Sequence, residues 1–237
     1  MNKLIVTVDL DWACEPAIEE TLDFLKIQKI TPTVFITHRS PSVETSMNKN
    51  EIEVGLHPYF ASDSSHGPTI PEVINHIMDL PHNLAAFRCH RFAVCNASRQ
   101  AMVEAGMLVS SNVCTDLEIV APFKDRFGLL EVPIFLEDGG YLWRKHLLEV
   151  TQGLKAALLG QGTKVILIHP MHFALNTPHF NYMYDIKQSV SRIEWKSMTK
   201  ATLNKFRWKG RGIQDLVVEL LQIPCSKSSL EALIATH

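Results

Sequence analysis

The run Leu4-Ile5-Val6-Thr7-Val8, stopped by Asp9-Leu10-Asp11-Trp12, constrains this chain more than any other stretch. A segment so nearly free of polar groups fits a strand covered on both faces, as in a parallel sheet flanked by helices, better than it fits an amphipathic helix. Ionised carboxylates are costly inside such a strand. Asp9 and Asp11 are therefore expected at its carboxyl end, where α/β sheets and barrels collect ligands and catalytic groups. One of the two acids has a ready alternative as a helix cap. Both together point to a shared pocket, which alternate residues of one strand reach if the strand continues through Asp11.

The rest of the chain repeats the same alternation. Residues 15–29 carry Ile18, Leu22, Leu25 and Ile27 at helical spacing, and 33–37 reads as a second strand. The polar stretch 39–50 reads as a loop, 51–56 as a third strand, and 61–68 as a Ser- and Gly-containing loop. Helices are expected over 71–78, 98–105 and 147–159, with strands over 85–90, 107–113, 129–135 and 164–168. The last third reads as mostly helical, clearest over 213–221 and ending with a helix over 226–235. About seven strands alternating with helices predict a mostly parallel sheet, closed into a barrel or open and doubly wound, in a single domain over residues 1–237. No GxGxxG or GxxxxGK[ST] supports a glycine-loop nucleotide site.

Composition narrows the partners. A net charge of −2 over 237 residues gives no broad basic face for nucleic acid or anionic lipid. Carbohydrate or another small molecule is the expected substrate, and self-association is compatible with the reading. No apolar run is long enough to span a bilayer. Met1-Asn2-Lys3 leads straight into a strand without the apolar core of a secretory signal. Five scattered cysteines without a CxxC suit free thiols, and these features together predict a cytoplasmic location.

At the predicted strand ends stand Asp9 and Asp11, then His57, Arg88 and His90, Glu131, and His169 with His172. Imidazoles with one carboxylate suit Zn²⁺ or another borderline divalent ion, with cobalt, nickel or iron as alternatives, and leave a position open for water.

In order and rough spacing, Thr7-Val8-Asp9-Leu10-Asp11, His57 with His66, Phe87-Arg88-Cys89-His90-Arg91-Phe92 and Leu167-Ile168-His169-Pro170 resemble the motifs of the polysaccharide deacetylases, carbohydrate esterase family four, with their NodB-like fold. The resemblance covers about Val6 to Pro170. It implies a distorted (β/α)7-8 barrel and a metal-dependent hydrolase that removes N-acetyl, or O-acetyl, groups from a sugar or surface-polysaccharide precursor. It further implies Asp9 as the general base, Asp11 and His57 as metal ligands, His169 as the general acid, and Arg88 as the cation that orients Asp9.

The chain departs from the family pattern at the second motif. Four residues past His57 stands Ala61, which cannot bind metal, so His66 is expected to complete the ligand set, with Asp63 and His90 as rivals. His90, Glu131 and His172 are then expected to contact substrate. Glu137 and Asp138 read equally as pocket acids or as a solvated turn, and Asp116 and Glu118 as loop acids that match the family's acidic motif. Tyr182, Tyr184, Trp195, Phe206 and Trp208 could stack on sugar rings, although core packing is the commoner fate. Two other readings stay open: hydrolysis of a C–N bond in a small cyclic amide by the same site, and a carbohydrate-binding barrel that has lost its metal.

Overall fold

The computed structural model describes residues 2–236. Strand β1 (Asn2–Asp9) leads through α1 (Glu15–Ile27) to β2 (Thr33–Ile36), followed by α2 (Pro41–Asn48), β3 (Glu53–Leu56), α3 (Ile70–Met78) and β4 (Ala86–Phe87). A 3-10 turn (His90–Phe92) and α4 (Asn96–Glu104) precede β5 (Val109–Ser110), β6 (Phe123–Lys124), β7 (Leu130–Glu131) and β8 (Leu136–Glu137), to which α5 (Asp138–Trp143) is joined directly. Next come α6 (Gln152–Leu159), β9 (Gly162–Ile168), α7 (Pro170–Ala174), α8 (Tyr182–Ser189), α9 (Arg192–Lys196), α10 (Lys200–Phe206) and α11 (Ile213–Gln222). A short strand, β10 (Ser226–Ser228), separates these from α12 (Leu230–Ile234).

The strands lie in the order β6-β7-β5-β4-β3-β2-β1-β9-β8, and every pairing is parallel except the β6–β7 ladder. Leaving β6 aside, the sheet runs from β7 to β8, two strands that are consecutive in sequence. This is the order of a (β/α) barrel in which the last seam lacks a continuous ladder. Near that seam the Cys114–Ile134 bridge stands between the ends of the curl. The distorted barrel expected from the motifs is thus the observed fold.

Side-chain alternation along β1 divides the interior. Leu4, Val6 and Val8 face outward into the large core shared with the surrounding helices. Ile5 faces inward to a smaller cluster with Phe35, Ala86, Val109, Val165 and Leu167. On that inner face Ile5 is followed by Thr7 and then Asp9, so the lumen turns from apolar to polar toward the carboxyl end. Leu230 and Leu233 of α12 join the apolar inner cluster.

Several expected elements differ. The loop expected over 39–50 contains α2, because Ser40 caps it, Pro41 occupies its first turn, and the Glu15 carboxylate accepts from Ser40 Oγ and Ser42 N. The helix expected over 147–159 begins only after Thr151, which caps Leu154 N. Residues 226–228 pair with β1 in place of starting a helix, and α5 was not anticipated. The strands expected over 107–113 and 129–135 shrink to two-residue ladders. No helix among the described residues is long and apolar enough to cross a membrane, and all five cysteines are free.

Candidate active site

Strand β1 ends at Asp9, so Asp11 does not reach the pocket by strand alternation as the sequence suggested. Asp11 and Trp12 instead adopt left-handed backbone angles, φ 44° and 53°, a conformation that costs non-glycine residues about 1 kcal/mol or more each. Trp12 N donates to Thr37 Oγ1 at 3.2 Å and Ala13 N to Leu10 O at 2.7 Å, which hold the turn. The outcome is two carboxylates on one cleft by a route that alternation did not foresee.

Arg88 leaves the end of β4 and is completely buried. Its guanidinium donates to Asp9 Oδ1 at 2.8 Å, Thr7 Oγ1 at 2.9 Å, Ser111 O at 3.0 Å and Ser111 Oγ at 2.7 Å, and it lies 4.4 Å above the Phe35 ring. Both the charge and the donors are therefore satisfied without water, as a buried arginine requires. The Asp9 carboxylate is fixed in consequence.

His57 follows β3 directly and is also buried. Its Nε2 is 3.0 Å from Asp11 Oδ1, and His90 Nδ1, from the turn after β4, is 2.8 Å from the same oxygen. Burial alone would raise the Asp11 pKa, but the hydrogen bonds from His57 and His90 and the nearby His169 charge hold it well below the usual carboxylate range. The donor atoms of Asp11, His57 and His90 all lie within 4.8 Å of one another. His57 Nδ1, 3.7 Å from Asp9 Oδ2, has no hydrogen-bond partner although buried. Two imidazoles and one carboxylate converging at the cleft floor are a donor set that suits a borderline divalent cation.

His66 does not join this group. Its Nδ1 accepts from Tyr59 N at 3.2 Å and its Nε2 donates to Thr37 O at 2.9 Å, so neither ring nitrogen is free for a metal. Burial and the neighbouring His76 push its pKa down to about 4. Asp63, the other rival, accepts from Tyr59 Oη at 3.1 Å on the rim. His90, and not His66, is the histidine that the fold brings together with Asp11 and His57.

His169 follows β9, the strand paired with β1. Asp138 Oδ2 accepts the His169 N–H at 2.7 Å and its Oδ1 lies 2.5 Å from His169 Nδ1, leaving Nε2 to face Asp11 Oδ2 at 3.5 Å. Burial disfavours the imidazolium, yet the Asp138 charge and hydrogen bond outweigh it and raise the His169 pKa well above its ordinary value. Asp138 is 1% exposed, so the solvated-turn reading of this acid is corrected. Glu137 caps α5 at Gly140 N. A Cβ at Gly139 or Gly140 would come within 2.6 or 2.5 Å of the Glu137 carboxylate, so a larger residue there would require that side chain to shift. Burial pushes the Glu137 pKa up to about 7.

His172 lines the cleft but is buried, its Nδ1 has no hydrogen-bond partner, and burial lowers its pKa to about 4. Glu131 is elsewhere. Its carboxylate accepts from Ser110 Oγ and Asn112 N at 2.5 Å each and from Arg99 at 3.1 Å, a buried brace for the β5–β7 region, so the substrate-contact expectation for it is corrected. Asp116 pairs with Arg144 and His146 and lies outside the cleft.

The cleft itself measures about 1010 Å³. Besides Asp9, Asp11, His57, His90 and His169, it is walled by Trp143 and by side chains of α8 and α9, including Lys187, Arg192, Trp195 and Lys196. Of the five aromatic residues weighed for sugar stacking, Trp195 alone is on this wall. The basic residues carried no signal in sequence, because they lie beyond the last motif.

Comparison with known proteins agrees with this geometry. A family model described as WbmS-like polysaccharide deacetylase matches residues 6–187. No curated protein sequence matches the chain. Among solved structures, a putative polysaccharide deacetylase involved in O-antigen biosynthesis from Bordetella bronchiseptica is similar at a TM-score of 0.80, with 20% identity over 93% of this chain and 90% of that one. A putative polysaccharide deacetylase from Mycobacterium smegmatis is similar at a TM-score of 0.54, with 15% identity over 99% of this chain and 89% of the other. Strand order, site and family match lead to one conclusion: the chain belongs to the WbmS-like polysaccharide deacetylase family.

Proposed function

We propose that this chain is a metal-dependent hydrolase that removes the acetyl group from an N-acetylated, or less commonly O-acetylated, sugar in a surface-polysaccharide precursor. The observation that carries the reading is the meeting of the Arg88-held Asp9, the Asp11, His57 and His90 donor set, and the Asp138-held His169 on one cleft.

Asp11, His57 and His90 would hold the divalent cation, Zn²⁺ being the best match to two imidazoles and a carboxylate. When bound, it supplies Lewis acidity toward the acetyl carbonyl and the attacking water. Asp9 takes the proton from that water, its carboxylate oriented by Arg88 so that one oxygen stays directed at the cleft. Attack on the carbonyl carbon is followed by breakage of the C–N bond. His169 Nε2 then gives a proton to the departing amine, which leaves as the free amino sugar, while acetate is released. Asp138 accepts the Nδ1–H and its charge stabilises the imidazolium, which leaves the Nε2 proton to be given. Base and acid stand at the neighbouring ends of the paired strands β1 and β9.

Purified chain loaded with zinc and supplied with N-acetylated sugars should release acetate, and Asp9→Asn should abolish that release while retaining zinc. A chain that binds no divalent cation, or whose acetate release survives Asp9→Asn, would remove this reading.

A further inference from the structure

Four cations border the cleft beside the acids and histidines: Arg91 from the turn after β4, Lys187 from α8, and Arg192 and Lys196 from α9. Among the described residues none of the four is ion-paired. Elsewhere on this surface exposed cations do find acids, as Lys26 does with Glu51, Arg39 with Glu44 and Arg211 with Glu219. The close neighbours of the two lysines are aromatic: Lys187 Nζ lies 4.5 Å from the Trp195 ring and Lys196 Nζ 5.8 Å from that of Trp12.

The acids of the cleft have other hydrogen-bond partners, although the Asp11 charge also acts on Lys187. Asp9 is taken by Arg88, Asp11 faces His57 and His90, Asp63 accepts from Tyr59, and Glu137 caps α5. Burial is the main cause that disfavours the charged forms of Lys187 and Lys196, and the neighbouring charges of Arg91 and Arg192 add to it. The whole chain carries a net charge of −2, so this gathering is local and not part of a generally basic surface. Lys187 is near enough to Asp11 for their charges to interact, which puts the positive wall beside the reacting group.

A neutral sugar gains only hydroxyl contacts from such a wall, whereas an oxyanion gains charge-assisted hydrogen bonds and relieves the mutual repulsion. We propose that the acetylated sugar accepted by this cleft carries an oxyanion, a phosphate or a carboxylate, held by Lys187, Lys196, Arg91 and Arg192. The proposal rests on the deacetylase reading and names the substrate class of that same cleft.

The test uses the full chain with Asp9→Asn, so that substrates persist, in calorimetric titrations with N-acetylglucosamine, N-acetylglucosamine 1-phosphate and N-acetylglucosaminuronic acid. At least one anionic sugar should bind about tenfold tighter than the neutral one, and whichever wins separates phosphate from carboxylate. The gap should narrow as salt rises from about 50 to about 500 mM. It should vanish when Lys187→Gln and Lys196→Gln are added. Equal affinity for all three sugars, no binding of any, or a preference indifferent to salt overturns the proposal. The salt series needs no lysine variant, so it decides even if the double substitution fails to fold. Acetate release by the zinc-loaded chain with Asp9 intact is scored apart. Equal kcat/KM on neutral and anionic sugars sinks this inference and spares the deacetylase reading, while an anion preference without acetate release does the reverse.

Discussion

Asp138 grips His169 twice, through the backbone N–H at 2.7 Å and through the ring Nδ1 at 2.5 Å. The residue just after β8 thereby fixes both the place and the tautomer of the imidazole just after β9. Asp138→Asn keeps the shape but removes the charge that holds His169 protonated, so less of the imidazolium that gives the Nε2 proton is present. The expected loss in kcat is about 10²- to 10⁴-fold with little change in KM. Steady-state acetate release should also show the basic limb of the pH profile moved to lower pH, because the carboxylate that raises the His169 pKa is gone.

His90 and His66 should separate cleanly in metal content. His90→Ala removes a donor from the group with Asp11 and His57 and should weaken zinc binding by about 100-fold or more. His66→Gln, altering a ring whose two nitrogens already serve Tyr59 and Thr37, should retain zinc. Competition against a chelating dye measures both.

Arg88→Met would leave the Asp9 carboxylate buried without its cation. Removing one member of a buried pair costs about 3–5 kcal/mol, so the variant should melt well below the parent in a calorimetric scan and be inactive wherever it is folded. A similar melting temperature would show that the arginine is not what stabilises this end of the lumen.

The depressed pKa of His66 sets a pH dependence of stability. With a folded value of about 4 against an ordinary 6.5, the fold disfavours the protonated ring, so stability is complete above about pH 6.5. It declines as pH falls toward 4, by at most about 3 kcal/mol. The charge of His76, whose ring is stacked on that of His66 at 4.7 Å between centroids, contributes to the depression. Urea unfolding of chelator-treated chain between pH 7 and pH 4 should show this loss, and His66→Gln should flatten it.

Much of this was legible from residue order because β1 combines two signals: an apolar run and acids that cannot lie inside it. Arg88 and His169 were readable for the same reason, each standing at the end of a strand. What failed depended on loops and turns. His66 has the right chemistry nine residues past His57, but only the path of the 61–68 loop reveals that its nitrogens are spent on backbone groups. The Glu137-Asp138-Gly139-Gly140 stretch has turn composition, and nothing local says that it is the first turn of a helix wrapped around a carboxylate. Lys187, Arg192 and Lys196 are ordinary surface residues until the folding of α8 and α9 brings them to the cleft.

The short helix α12 has a role larger than its length. Leu230 and Leu233 sit in the lumen with Ile5, β10 lies in register with Lys3, Leu4 and Ile5, and Glu53 receives the Leu230 and Glu231 N–H groups. Residues 226–234 thus stopper the barrel at the end away from catalysis. During synthesis, the strand ending at Asp9 precedes two of the partners that complete its edges, β9 and β10, by more than 150 residues. Such distant closure makes assembly slow, and the nascent chain must keep an apolar strand sheltered until its stopper arrives.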